Sequence, residues 1–185
     1  LPFPPMKILN VFPFLAAALL ASLSVNAAPW DGPISTIQKV GPEGQGNAEA
    51  AQAFASLTSQ DSAAILPILS AMKDTGPIAD NWMRSAAEIV FEKARKSEED
   101  KVPAAELREF VLNTENDSRA RELAFDLYEQ VEPDDANSMV PGLLSDPNTT
   151  LRRKAVTRLI DEGKKLTADS GKEEAATEVM IKALG

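Results

Sequence analysis

Carboxylates are the chain's most abundant chemically capable groups: 28 Asp and Glu stand against 19 Lys and Arg, with no His and no Cys. No imidazole base, thiol nucleophile or disulfide is possible, and a metal would have to be held by oxygen ligands alone. A paired-carboxylate hydrolase needs two acids across a cleft with their pKa values held apart. The acidic runs Glu98-Glu99-Asp100 and Asp134-Asp135 instead fall between helical segments, where they serve solubility and helix capping. Calcium has no D-x-[DN]-x-[DN]-G loop to occupy, and Thr114-Glu115-Asn116-Asp117 supplies too few acids for a cage. Gly41 to Gly46 (GPEGQG) has neither the Lys nor the preceding strand of a phosphate loop. Arg152-Arg153-Lys154 is a basic cluster, but in a chain of net charge −9 it reads as a solvated helix face rather than a nucleic-acid site. These residues predict no enzyme, no cofactor and no metal site.

The elements carrying these residues are helical. Hydrophobic content is 44% with only 5% aromatics, a mix dominated by Ala, Leu, Val and Ile that suits helices packed through small side chains. Ala50, Ala53, Phe54 and Leu57 share a helical face, and so do Met83, Ala86, Ala87, Val90, Phe91 and Ala94. The same spacing links Leu107, Phe110 and Val111; Ala120, Leu123, Ala124, Leu127, Tyr128 and Val131; and Leu151, Ala155, Val156, Leu159 and Ile160. A last face runs over Ala175, Ala176, Val179, Met180, Ala183 and Leu184. Asn116-Asp117-Ser118 and Thr149-Thr150 are expected to cap the helices after them, and Ser170 with Glu173 forms a capping box. Short helices on short links predict antiparallel neighbours.

Residues 1–27 read as upstream residues plus a secretory signal peptide. Met6-Lys7 supplies the positive start, Ile8 to Leu23 the apolar stretch, and Val25-Asn26-Ala27 the small-residue cleavage site. The expected product is exported, periplasmic or extracellular, and meets a membrane only through this segment during export. Cleavage after Ala27 would leave 158 residues and, with Lys7 gone, a net charge of −10. Residues 28–46, rich in Pro and Gly, are expected to be an irregular linker or cap. Residues 47–185 form the helical domain, and the lack of a polar capping helix at its end predicts a fragment truncated at the C-terminus.

Three helices share a pattern: Arg84 and Ala87, Arg121 and Ala124, Arg152 and Ala155, each Ala followed four residues later by Phe91, Tyr128 or Leu159. The intervals between the alanines, 37 and 31 residues, suit a helical-hairpin repeat. Pro67 in ILPIL and Pro141 in MVPGLL predict a bent first helix in two of the units. The unit MVPGLLSDPNTTLRRKAVTRLI resembles a HEAT repeat, with Asp146 in the turn and Leu151-Arg152-x-x-Ala155-Val156 opening the second helix. The units around Arg121 and Arg84 are more degenerate matches. The resemblance implies an all-α, short right-handed α-solenoid of antiparallel helix pairs. It also implies a structural inter-repeat ladder of Arg84, Arg121, Asp146 and Arg152.

With each repeat Ala turned inward, the opposite face carries Ser85, Glu122 and Arg153, then Ile89, Asp126 and Thr157, then Glu92, Glu129 and Ile160. Glu92, Glu122, Asp126 and Glu129 are the expected protein-binding face, a mostly acidic patch suited to a basic partner. The function that follows is a non-catalytic protein-binding scaffold. The alternative is the N-terminal docking region of a larger exported enzyme or redox protein with its active domain beyond residue 185.

Overall fold

Four of the longer helices start where a side chain or a proline satisfies the first turn. Asp117 accepts from the backbone N–H groups of Arg119 (2.9 Å) and Ala120 (3.2 Å), and Asn148 accepts from Thr150 (2.8 Å) and Leu151 (3.2 Å). Pro77 and Pro133 each occupy a first helical position, where no N–H is required. The computed structural model describes residues 27–169 and 171–184. Among these it contains helices and no strand: α1 (Asp31–Ile37), α2 (Asn47–Thr58), α3 (Ile65–Ser70), α4 (Pro77–Arg95), α5 (Ala104–Leu112), α6 (Ser118–Val131), α7 (Pro133–Leu143), α8 (Thr149–Thr167) and α9 (Glu173–Leu184). No described helix is long and apolar enough to cross a membrane.

Consecutive helices pack in pairs, α1 on α2, α3 on α4, α5 on α6 and α7 on α8, with α9 laid along α8. Neighbouring pairs touch through α2 and α4, α4 and α6, and α3 and α5. One continuous core runs from Ile34 and Ile37 through Leu57, Met83 and Phe91 to Phe125, Leu151 and Ala183. Truncating a fully enclosed aromatic such as Phe91 costs about 3–5 kcal/mol by loss of transfer energy and cavity formation. At the last interface Gly163 faces Met180 so closely that a Cβ there would lie 2.6 Å from its Cγ. Glycine therefore sets how near α9 can approach α8.

Several expectations change. Residues 28–46 are not an irregular linker: α1 lies within them, and its Ile34 and Ile37 are buried against α2 and α4. Seven residues with two apolar anchors are too short a run to display a period. Gly46, at φ +78°, then turns the chain into α2. The two prolines do not share a setting. Pro67 is the third residue of α3, entered from a 3-10 turn at Ser62–Ala64 that Asp61 caps, whereas Pro141 lies well inside α7. The α8 cap is Asn148, one residue before the expected Thr149-Thr150. On α9, Ala176 and Ala183 are buried, but Ala175 is exposed and Leu184 is 86% exposed. The secretory segment, except Ala27, and Ser170 of the capping box lie outside the described residues.

Candidate docking face and the ion pairs that bound it

The face built by α2, α4, α6 and α8 divides into an apolar part and a charged part. On α4, Ile78, Ser85 and Ile89 lie on the outward face, with Ile78 39% and Ile89 41% exposed, and Trp82, at the same helical spacing, is half-buried and packed against the core. Phe54 from α2 meets Trp82 edge to face, ring centroids 5.2 Å apart and planes at 70°. Ile78, Asn81 and Ser85 complete a shallow groove of about 360 Å³ around this pair. Behind the groove, Lys93 of α4 donates from Nζ to the carbonyls of Thr58, Ser59 and Gln60 (3.0–3.1 Å), closing the C-terminal end of α2. The backbone N–H of Ser62, at the following corner, donates to Asp100 (3.0 and 3.2 Å).

The α6–α8 part is closed by charge. Arg121, 1% exposed, donates from Nη1 and Nη2 to the Asp146 carboxylate (3.0 and 2.5 Å) and from Nε to the Val111 carbonyl (2.7 Å). Arg152 donates to the Asp146 backbone carbonyl, and the Asn148 amide donates to the Ser118 carbonyl (2.6 Å). Burial pushes the Asp146 carboxyl up, but the Arg121 hydrogen bonds, the Asn148 N–H and the nearby guanidinium charges outweigh it and leave it below the ordinary carboxylate value. Three of the four residues expected in the ladder thus meet at one corner. Arg84 does not join them; it lies on the surface with Glu88 of its own helix at 3.6 Å. The corresponding link between the preceding units uses Asp80 and Arg119, which the repeat alignment missed. Asp80 is buried in the first turn of α4, and its Oδ2 lacks an aligned hydrogen bond, its charge being met by the Arg119 guanidinium. Arg119 Nη2 also donates to the Thr75 carbonyl (3.3 Å).

The four carboxylates expected to form an acidic patch are mostly spent. Asp126 pairs with Lys154 and Glu129 with Arg158, both across to α8. Arg158 also lies over the Phe125 ring, 5.0 Å from its centroid. Glu92 pairs with Arg95 (2.9 Å) and Lys96 (3.4 Å), and the Arg95 hydrogen bond holds its carboxyl below the usual range. Among the described residues only Glu122 of the four carries no ion pair, so the face is not a field of free negative charge. The bases that neutralise it were visible in the sequence: Lys154 and Arg158 are one turn apart on α8, as Asp126 and Glu129 are on α6.

A second polar node ties α5, α6 and α7. Tyr128 donates its hydroxyl to Asp135 (2.6 Å) and Arg108 Nε donates to the same oxygen (2.8 Å). The Tyr128 bond, then Arg108, lowers the Asp135 carboxyl, while burial and then Asp135 push the Tyr128 phenol up to about 12. Tyr128 therefore stays protonated at any working pH and acts as a strut, not a base. Among the described residues no three acidic side chains converge on a point where a metal ion could sit.

Comparison of the chain with protein-family models, with curated proteins and with solved structures finds no match.

Proposed function

We propose that the chain is an exported, non-catalytic scaffold that binds another protein on the α2–α4 part of its face, within a right-handed, HEAT-like solenoid. The observation that carries the reading is the groove around Phe54, Trp82 and Ile78. A groove floored by two half-buried rings and edged by an exposed isoleucine is where a partner can seat an apolar anchor. The succession of helix pairs, each in contact with the next, supports the solenoid, and the bridge from Arg121 to the corner before α8 is the kind of cross-link that such stacking uses. Export rests on the secretory pattern of residues 1–27, and N-terminal sequencing of the exported protein is expected to begin Ala28-Pro29-Trp30.

The test is affinity capture from the exported fraction with the full chain and with its Trp82→Ala and Ile78→Asp variants. The expected result is a protein retained by the unaltered chain and lost from both variants at unchanged helicity. Identical retention by all three, or no retained protein, overturns the reading.

A further inference from the structure

We infer that hydrolysis after Ala27 locks the start of the fold: the new α-ammonium of Ala28 pairs with the Asp31 carboxylate and fastens α1 to the processed domain. This rests on the export reading of residues 1–27 and adds what the cut does to the structure. The first residue behind the expected cut already belongs to a turn. The Asp31 N–H donates to the Ala28 carbonyl (3.0 Å), and the Ala28 N–H donates back to Asp31 Oδ2 (2.7 Å). Pro29 holds the second position of that turn, which favours proline, and Trp30 the third at φ −88°, ψ −17°, as in a type I turn. The Trp30 carbonyl then accepts the first hydrogen bond of α1, from the Ile34 N–H (2.9 Å), and its indole is half-buried against the core. Ala28 is thereby fixed, with its nitrogen aimed at a carboxylate.

In the uncut chain that nitrogen is a neutral amide. At the Ala27–Ala28 bond, water gives its hydroxyl to the Ala27 carbonyl and a proton to the Ala28 nitrogen. The proton of the resulting acid passes to the amine, so the leader departs as a carboxylate and Ala28 keeps an ammonium. An α-amine of ordinary pKa, about 7.7–8.0, holds that charge at neutral pH. One neutral donor has become a cation beside the same oxygen, and charge-assisted hydrogen bonds are the stronger kind. Among the described residues Asp31 has no Lys or Arg partner, so its charge is free to meet the new amine. The place matters because α1 has seven residues, no side-chain cap and only Ile34 and Ile37 as buried anchors. A helix of that length does not hold by itself.

The test uses the exported, processed protein and its Asp31→Asn variant. Asp31 is exposed, and the substitution keeps an oxygen to accept the bond of the turn while removing the charge, so folding is not at stake. N-terminal sequencing fixes where each chain begins. Trace acylation with acetic anhydride near neutral pH, read by mass spectrometry of the first peptide, then measures how freely the Ala28 amine reacts. The unaltered chain is expected to begin at Ala28 and to be acylated about threefold more slowly than Asp31→Asn, the scale of one exposed ion pair, with the difference shrinking at high salt. Deuterium exchange of the α1 amides should quicken by a similar factor in Asp31→Asn, and Glu122→Gln should change neither rate. Equal acylation of both chains, each beginning at Ala28, overturns the lock and leaves export standing. A first residue other than Ala28 also overturns the lock, and a chain exported with its leader intact overturns the lock and the cleavage reading together.

Discussion

The α2–α4 joint and the α6–α8 joint do the same architectural job with different chemistry. At the first, the helices approach closely, aromatic rings meet edge to face, and the polar work is done by Lys93 on backbone carbonyls. At the second, the helices meet mainly through side chains, and opposite charges span the gap: Arg121 with Asp146, Asp126 with Lys154, Glu129 with Arg158. The charged joint uses up most of its carboxylates on itself, whereas the apolar joint leaves Ile78 and Ile89 facing solvent beside two half-buried rings. Surface that is spent internally is not available to a partner. The open part of the face is therefore the apolar one.

The contrast breaks most sharply at Arg121. Arg121→Ala strands a buried Asp146 carboxylate, and urea unfolding is expected to show a loss of about 3–5 kcal/mol. A loss below about 1 kcal/mol would mean that the charged joint is ornamental. Acid should separate the joints next. The Asp146 carboxyl is lower in the folded than in the unfolded chain, so its contribution is complete above the unfolded value near 3.8 and is lost as pH falls through the folded one. Thermal unfolding of Asp146→Asn is expected to start from a lower midpoint at neutral pH and to lose less below pH 4 than the unaltered chain. Parallel acid limbs would remove Asp146 from the account.

Smaller effects sharpen the difference. Lys93→Met takes the ammonium from three carbonyls at the end of α2 and is expected to cost about 1 kcal/mol. For the half-exposed Asp126–Lys154 pair, a double-mutant cycle should give no more than about 1 kcal/mol and fade between low and high salt. A coupling indifferent to salt would place that pair in a drier setting than its exposure indicates.

Much of the helical layout was legible because burial leaves a three-and-four spacing: Met83, Ala86, Ala87, Val90 and Phe91 are all enclosed. Asp117 was legible as a cap because its chemistry is local. Partners across space were harder. The Asp80–Arg119 link escaped the repeat alignment because Asp80 sits inside the first turn of α4, whereas Asp146 sits in a turn before its helix. A single helical wheel showed Asp126 and Glu129 pointing outward but not the two bases facing them. Helix α1 was illegible for want of length, and Phe125 because its Arg158 neighbour lies 33 positions along the chain.

Arg121 grips the last turn of α5 at Val111, its own helix, and the corner that opens α8. None of the three can move away without exposing an uncompensated charge to the interior. Their backbone amides should therefore exchange with solvent deuterium at one common free energy, as a single cooperative unit. Helices α1 and α9, which carry no buried ion pair among the described residues, are expected to open on their own schedules.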